Sequence, residues 1–389
     1  MRHWTTRAIY WVLAIEFAGV VIFAAAYRSL DHYIYWLGGQ AIMDGAGLYQ
    51  ERLAGLWFTN TPFMAVTFMP MAALPLTAAR VAWQLASVAA FAWACVTTLR
   101  LAGRRPSRRT VSAVVALGFL LEPIWHSVFL GQVNLFLLAL VLADIRRVSL
   151  GRPAGIGIGV AAAIKLTPAI FIVLLLVAGR VRAAVTAAAT FVLCGAVACV
   201  IAPDASRVYW LHTFYDTSRV GVPYISNQSP YGAAVRILGG VENVGAWFQA
   251  VPIAAGICGL AVAALWARRG DWLSAVAVTG TTGLLVSPVS WAHHWVWVVP
   301  ALAVLLRNGN RRATLGGYLL FLLAVPWWTP RDGGPDEYGL HGLLTVAANG
   351  YLVAGLAFLV HMAVRLRGTS GWTAEPPERQ APVAARPVG

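Results

Sequence analysis

The chain has 389 residues, of which 59% are hydrophobic and only 11% are charged, and its mean hydropathy is +0.69. Soluble domains carry about 25% charged residues, so this composition predicts an all-α polytopic membrane protein and excludes a disulfide scaffold or a disordered chain. Long continuous apolar runs, rather than short alternating strands, exclude a transmembrane barrel. The net charge of +14 does not indicate nucleic acid as a partner, because the basic residues lie in short clusters between apolar runs.

Apolar runs, taken in chain order, predict the helices that cross the membrane. A span needs about 20 apolar residues, and fewer when the helix lies inside a bundle. We predict twelve spans, at 7–27, 78–101, 110–128, 132–145, 154–165, 168–179, 183–203, 247–267, 272–287, 291–306, 311–328 and 343–364. The stretch 61–76 is also apolar, but Pro62, Pro70 and Pro75 interrupt it, so we interpret it as a re-entrant or interfacial segment on the external side.

Arginine clusters between these spans indicate the topology. They lie at 104–109, 146–152, 180–182, 268–269, 307–312 and 365–367. Lys and Arg concentrate in cytoplasmic loops. An inside N-terminus therefore places every cluster on the cytoplasmic side, provided that 61–76 does not cross and 154–179 forms a hairpin. The prediction is about twelve spans with both chain ends inside.

The predicted organisation is one transmembrane domain over residues 1–367, with long external loops at 28–60 and 204–246. Long polar loops on one face usually carry function. Residues 368–389 are rich in Pro, Ala and Arg and show no periodicity. We expect them to form a disordered cytoplasmic tail.

Polar residues near the predicted membrane boundary gather on the external side. Such residues are costly inside a membrane and are usually functional. They lie at the outer ends of predicted spans, at the tip of the predicted hairpin and in the large external loop. They are Asp31, Glu122, His126, Gln132, Asn134, Lys165, Asn227, Gln228, His293 and His294. We expect them to converge on one external site.

Several of these residues also have purely structural interpretations. Asp31 could pair with Arg28 at the interface, since the two residues are only three positions apart. Lys165, the only lysine beside 28 arginines, could simply extend its charge to the membrane surface. His293 and His294 are adjacent and point to different helix faces, so one of them is expected only to pack.

The sequence contains no recognisable metal or nucleotide motif. HExxH is absent, and the adjacent pair His293 and His294 lacks a partner at helical spacing. A phosphate-binding glycine loop in the required strand–helix context is also missing. We therefore predict no metal and no cofactor, and an activated donor would have to arrive on a lipid.

Four stretches of the chain together resemble a known family. They are 31–35 (DHYIY), 129–134 (FLGQVN) followed by Asp144, 164–168 (IKLTP) and 286–295 (VSPVSWAHHW). They resemble glycosyltransferase family 87, the polyprenol-phosphate-mannose-dependent α-1,2-mannosyltransferases of the actinobacterial cell envelope. The chain departs from the family at 59–63, where a single proline stands in place of an aromatic-Pro-Pro element.

The resemblance implies a C-type glycosyltransferase fold in the cell membrane, with an active site that faces outside. It implies a polyprenyl-phosphate-mannose donor and a glycolipid acceptor, either a phosphatidylinositol mannoside or a lipomannan. It also implies an acidic catalytic base on the first external loop, and Asp31 is the position that matches.

The remaining residues receive roles from their chemistry. Lys165 and one of His293 or His294 are expected to bind the donor phosphate, because cationic and hydrogen-bonding groups stabilise a leaving phosphate. Sugar or acceptor binding is expected of six residues: Glu122, His126, Gln132, Asn134, Asn227 and Gln228. An apolar groove beside the predicted hairpin would hold the prenyl chain.

Other functions stay open at this point. A related enzyme could use a polyprenyl-phosphate-arabinose donor, since nothing in the sequence reports the ring size of the sugar. A lipid or sugar transporter would need ionisable groups near the midplane and an internal repeat. A structural scaffold would have no reason to bear the cost of Asp31, Lys165 and the histidine pair.

Overall fold

The computed structural model describes residues 2–332 and 335–368, and this part of the chain is almost entirely helical. It contains eighteen α-helices joined by short 3₁₀ and π turns, with only two isolated β-bridges. The first nine helices are α1 (Arg2–Ala26), α2 (Leu30–Met43), α3 (Pro62–Ala72), α4 (Leu76–Leu101), α5 (Arg108–Phe119), α6 (Glu122–Leu130), α7 (Asn134–Ser149), α8 (Ile156–Ile164) and α9 (Ile170–Val177). The last nine are α10 (Val181–Ile201), α11 (Pro203–Val208), α12 (Pro230–Leu238), α13 (Ala250–Arg268), α14 (Trp272–Val286), α15 (Val298–Arg307), α16 (Arg311–Leu322), α17 (Leu343–Ala348) and α18 (Gly350–Gly368).

A helix is present at each of the twelve predicted spans, and the chain is a membrane protein. Five helical stretches in the described residues are long and apolar enough to cross a membrane: Thr6–Ala26, Leu76–Leu101, Val181–Ile201, Ala246–Arg268 and Gly350–Arg367. A sixth is obtained if α5 and α6 are counted as one bent span. The other predicted spans are shorter helices, so helix length alone does not establish the predicted number of twelve.

The predicted span 110–128 is not one straight helix. Helices α5 and α6 meet at an angle of 75°. Pro123 lies in the first turn of α6, and Leu121 before it has an extended backbone. Proline in a helix interior removes a hydrogen bond and clashes with the preceding turn, but it is tolerated in a first turn. The bend therefore begins a new helix at Glu122 and directs α6 toward the site described below.

The segment 28–60, predicted as a long loop, contains a helix of 14 residues, α2. This helix packs against α3, and glycines make the close approach possible. A β-carbon at Gly39 would lie 2.9 Å from the β-carbon of Ala72. Helix α3 has 11 residues and rises only about 16 Å. Helices α8 and α9, assigned to predicted spans, are shorter still, so length does not distinguish α3 from them. The interpretation of 61–76 as a re-entrant or interfacial segment therefore stays a prediction.

The predicted disordered tail lies outside the described residues, except for Gly368 at the end of α18. The predicted loop 204–246 contains α11, α12 and several short turns. One of these is a 3₁₀ turn at Thr217–Arg219. Together with the segment between α2 and α3, this loop supplies much of the wall of a large cavity.

Candidate active site

A cavity of about 1030 Å³ lies where the loops meet the helix bundle. Six of the ten predicted site residues line it: Asp31, His126, Gln132, Lys165, His293 and His294. The other four lie behind its wall and are almost completely buried: Glu122, Asn134, Asn227 and Gln228. The predicted convergence of residues distant in sequence is therefore seen for the first six.

Asp31 lies in the first turn of α2 and is held by a short chain of hydrogen bonds. Gln132 Nε2 donates to Asp31 Oδ2 at 2.7 Å, and Tyr35 Oη donates to Gln132 Oε1 at 2.7 Å. Asp31 Oδ1 has no hydrogen-bond partner among the described residues. Arg28 does not pair with Asp31 and instead lies over the ring of Tyr33, 4.6 Å from its centroid. The carboxylate is thus oriented on one side and free on the other.

The contact between α2 and the end of α6 brings Asp31 to Gln132. Helix α6 ends at Gly131, whose φ of +71° is a left-handed conformation that favours glycine. A β-carbon at Gly131 would lie 2.5 Å from the β-carbon of His32. Trp83 Nε1 also donates to Gly131 O at 2.8 Å. The turn is therefore fixed directly against the start of α2.

Burial raises the pKa of the Asp31 carboxyl above its ordinary value. The hydrogen bond from Gln132 and the positive charges of Lys165 and His126 oppose this rise. A raised pKa moves a carboxylate toward the range in which a general base is efficient. Because Asp31 lines the cavity, its free oxygen is available to a ligand there.

Lys165 follows α8 at a break in the helical backbone. Its extended conformation (φ −144°, ψ 129°) ends α8, and the Thr61 hydroxyl is shared between the carbonyls of Ala163 and Ile164 in the last turn of the helix. Lys165 Nζ lies 2.8 Å from His294 Nε2 and 3.3 Å from Asn134 Oδ1. Because an ammonium group only donates, His294 accepts through Nε2 and carries its proton on Nδ1.

His293 and His294 lie in a 3₁₀ turn, Ala292–Trp297, and both line the cavity. Which of them would bind a ligand, and whether one only packs, therefore stays a prediction. Their rings contact edge to face, with centroids 4.8 Å apart. His293 is 5% exposed, and neither of its ring nitrogens has a hydrogen-bond partner among the described residues. Asn134 Nδ2 donates to the backbone carbonyl of His293 at 2.8 Å, which fixes the turn.

Glu122 lies behind the cavity wall and bonds two residues that line it, His126 and Trp327. Its Oε1 lies 2.5 Å from His126 Nδ1 and accepts from Trp327 Nε1 at 3.1 Å, while its Oε2 accepts from Tyr351 Oη at 3.1 Å. The side chain of Glu122 is fully buried. The structure therefore places Glu122 where it orients His126, and His126 is the member of the pair that lines the cavity.

Asn227 and Gln228 connect loops rather than face the cavity. Asn227 Oδ1 accepts from the backbone nitrogen of Ser290 at 3.0 Å, and its Nδ2 donates to Pro288 O at 3.3 Å. Gln228 Nε2 donates to Ala348 O at 2.7 Å. These bonds hold the segment before His293 in place, so the predicted role in sugar binding is replaced by positioning.

Several cavity residues carry no clear sequence signal. Tyr35 is four residues after Asp31 and on the same helix face, a spacing that could have identified it. Trp57, Asp216 and Arg219 also line the cavity, but they come from two irregular loops without periodicity. Asp144, part of the matching stretches, is structural: its Oδ2 accepts from Ile158 N at 2.8 Å.

An apolar arm of the cavity runs beside the predicted hairpin. It is lined by Ile170 and Val173 of α9, Leu260 of α13, and Gly283 and Val286 of α14. This is where the sequence predicts a groove for a prenyl chain. The cavity therefore joins an apolar arm to the cluster of Lys165 and His294 and to the Asp31 carboxylate.

The model of the family described as glycosyltransferase family 87 matches residues 58–288. The chain belongs to glycosyltransferase family 87. The resemblance seen in the sequence is confirmed, and the chain is a glycosyltransferase. The matched range includes Lys165 but neither Asp31 nor the histidine pair, so their roles depend on the geometry above.

Two relatives cover most of the chain. The polyprenol-phosphate-mannose-dependent α-(1-2)-phosphatidylinositol mannoside mannosyltransferase of Mycobacterium tuberculosis is 33% identical over 367 residues, or 85% of this chain and 84% of that protein. The corresponding pentamannoside mannosyltransferase of Mycolicibacterium smegmatis is 34% identical over 361 residues, or 87% of this chain and 86% of that protein. Among solved structures, ArnT from Cupriavidus metallidurans bound to undecaprenyl phosphate matches 93% of this chain and 73% of that one, with a TM-score of 0.44 and 16% identity.

Proposed function

We propose that the protein transfers mannose from polyprenyl-phosphate-mannose to a hydroxyl of a mannosylated lipid, either a phosphatidylinositol mannoside or a lipomannan. The transfer inverts the anomeric centre and forms an α-1,2 linkage. One observation carries the proposal: a single cavity joins an apolar arm, a lysine–histidine cluster and a carboxylate with one free oxygen. These features match a prenyl chain, a phosphate and an acceptor hydroxyl in turn, and the names of the relatives supply the sugar.

Asp31 is the general base in this mechanism. Its free Oδ1 accepts the proton of the acceptor hydroxyl while the hydroxyl oxygen attacks C1 of the donor mannose. The bond between C1 and the phosphate oxygen breaks, and the phosphate leaves with the electron pair. Attack from the face opposite the β-linked phosphate gives the α product. A general base contributes typically 10²–10⁴-fold to such a reaction.

The leaving phosphate is stabilised by Lys165 and the histidine pair. Lys165 Nζ is fixed by His294 and Asn134, so little reorganisation is needed when negative charge develops nearby. The ring nitrogens of His293 are buried and unsatisfied by the described residues, and a phosphate oxygen would supply the missing partner. No second acid is required, because the leaving group is polyprenyl phosphate, a phosphate monoester that departs without protonation.

The same proposal includes the topology. The chain has a C-type fold with about twelve spans, both ends inside and the active site on the external face of the cell membrane. The arginine clusters support this orientation, since all of them fall on one side in the twelve-span topology. The lipid-linked donor and the glycolipid acceptor both reach the cavity from the membrane.

Transfer of radiolabelled mannose tests the proposal. Membranes containing the wild-type protein are given labelled polyprenyl-phosphate-mannose and a panel of mannosylated lipids. We expect transfer by the wild type and by Asp44→Asn, whose exposed carboxylate ends α2 outside the cavity, and loss of transfer in Asp31→Asn. Transfer in a folded Asp31→Asn variant would contradict the base assignment. A wild-type protein active only with polyprenyl-phosphate-arabinose would replace the donor.

A further inference from the structure

A polar part of the cavity wall involves none of the residues of the catalytic cluster or the apolar arm. It is formed by Trp57, from the segment between α2 and α3, and by Asp216 and Arg219, from the loop after α11. We name these three residues the polar lip. The cavity volume of about 1030 Å³ lies at the top of the range of roughly 300–1,000 Å³ for single-ligand pockets. There is therefore room for more than a donor headgroup and one acceptor sugar.

Hydrogen bonds and ring contacts make the polar lip rigid. Arg219 Nε bonds Asp216 Oδ2 at 3.1 Å, and its Nη1 donates to Tyr49 O at 2.7 Å. Its guanidinium lies over Trp57, 4.6 Å from a ring centroid. Asp216 Oδ1 accepts from the backbone nitrogen of Ser218 at 3.0 Å and from its hydroxyl at 2.6 Å. A pre-formed arrangement of this kind loses little entropy when a ligand binds.

The polar lip is also connected to the catalytic base. Tyr49 Oη donates to the backbone oxygen of Asn60 at 2.7 Å. Asn60 lies three residues after Trp57 in the same segment. Phe58, between Trp57 and Asn60, is fully buried and packs edge to face against the ring of Tyr35, with ring centroids 6.4 Å apart. Tyr35 is the residue that holds Gln132 against Asp31. The segment that carries Trp57 is therefore packed against the residues that orient the base.

The chemistry of the polar lip suits a neutral polyhydroxyl ligand. Arg219 Nη2 and Trp57 Nε1 have no hydrogen-bond partner among the described residues, so both can donate to a ligand. The Asp216 oxygens retain acceptor capacity. Hydrogen bonds from Ser218 and Arg219 hold the pKa of Asp216 below its ordinary value, so the carboxylate is charged. The charges of Asp216 and Arg219 offset each other, which favours sugar hydroxyls over a phosphate. A second guanidinium, that of Arg52, lies 5.5 Å from a Trp57 ring centroid but does not line the cavity.

We infer that Trp57, Asp216 and Arg219 form a subsite for the sugar next to the acceptor mannose, so that the enzyme selects an acceptor with at least two sugars. This inference rests on the proposed function. A site built to hydrogen-bond a hydroxyl discriminates strongly against a ligand that lacks it, because its polar groups are then left unpaired. The polar lip would therefore act on acceptor choice, while Asp31 acts on the chemistry.

Kinetics with two soluble acceptors test the subsite. Purified protein is assayed with polyprenyl-phosphate-mannose and either an octyl mannoside or an octyl dimannoside. For the wild type we expect a KM for the dimannoside about tenfold lower than for the monomannoside, equivalent to about 1.4 kcal/mol. Trp57→Ala and Asp216→Asn should retain transfer to the monomannoside and bring the two KM values within about twofold.

Two variants outside the cavity serve as matched controls. Trp247→Ala removes an indole that is 63% exposed, and Asp204→Asn neutralises an exposed carboxylate in α11. Both should keep the wild-type ratio of KM values. Equal KM values in the wild type, an unchanged ratio in both lip variants, or loss of both acceptors in both lip variants would overturn the subsite. Absence of any mannosyl transfer by the wild type would instead overturn the proposed function on which the subsite rests.

Discussion

Lys165 offers the sharpest test of how the leaving phosphate is stabilised. We consider Lys165→Gln, because the glutamine amide can still donate to His294 or Asn134 while the positive charge is removed. Lys165 Nζ is 2.8 Å from His294 Nε2 and 3.3 Å from Asn134 Oδ1, so the position of the charge is well defined. The variant separates the charge of the residue from its role in holding the cluster together.

The expected loss follows from the strength of a charge beside a phosphate. Two unit charges 4 Å apart interact by about 4 kcal/mol at an effective dielectric of 20, and a hydrogen bond to a charged group contributes about 1.5–3 kcal/mol. A loss of about 2–4 kcal/mol lowers kcat/KM for the donor by roughly 30- to 1,000-fold, since 1.36 kcal/mol is tenfold in rate. Inhibition by added polyprenyl phosphate should weaken in parallel, because the same charge binds the product.

The assay is mannosyl transfer at limiting donor by purified protein, with thermal unfolding as a check of the fold. Lys165→Arg restores the charge and should recover at least tenfold of the loss. Arg152→Gln, which removes an exposed charge from the loop before α8, should behave like the wild type. A folded Lys165→Gln variant within about threefold of wild-type kcat/KM would refute the assignment of the phosphate to Lys165.

Two further predictions concern the turn that carries Gln132. The Gln132 hydrogen bond lowers the pKa of Asp31, so the Gln132→Met variant should have a higher Asp31 pKa. Because activity needs the ionised carboxylate, the acid limb of the kcat/KM–pH profile should move to higher pH. An unshifted acid limb would contradict the role of Asp31 as base. Gly131→Ala places a β-carbon in a left-handed conformation and 2.5 Å from that of His32. The conformation alone costs about 1–2 kcal/mol, so thermal unfolding should show a lower midpoint; a wild-type midpoint would contradict the described contact.

The apolar runs predicted the helices well, because about 20 apolar residues in water have few alternatives to a membrane span. The same dependence on length explains why helix α2 was not predicted. Its 14 residues are apolar enough to pack, yet too few to span, so a length criterion assigns them to a loop. Pro123 was visible in the sequence, but only the structure shows that α5 ends at Phe119 and that α6 begins at Glu122 at an angle of 75° to it.

The polar residues show where sequence reasoning stops. The carboxylate of Glu122 accepts hydrogen bonds from Trp327 and Tyr351, which lie 205 and 229 residues further along the chain. No local pattern reports contacts of that range. The polar lip was missed because Trp57 and Asp216 come from irregular loops that only the fold brings to one cavity wall.

Burying a polar side chain is costly, which is why polar residues in apolar stretches of the sequence attract attention. The sequence does not show which group compensates for that cost. A buried polar group needs a partner, and either the protein or a ligand can supply one. Glu122 and Gln228 have their hydrogen-bonding capacity used by the protein, so the structure itself explains their burial. His293 keeps two unsatisfied ring nitrogens and Asp31 keeps one free oxygen, both at the cavity. Among these four residues, an unpaired polar atom at the cavity, rather than the polarity that the sequence displays, distinguishes those proposed to contact substrate from those that hold them in place.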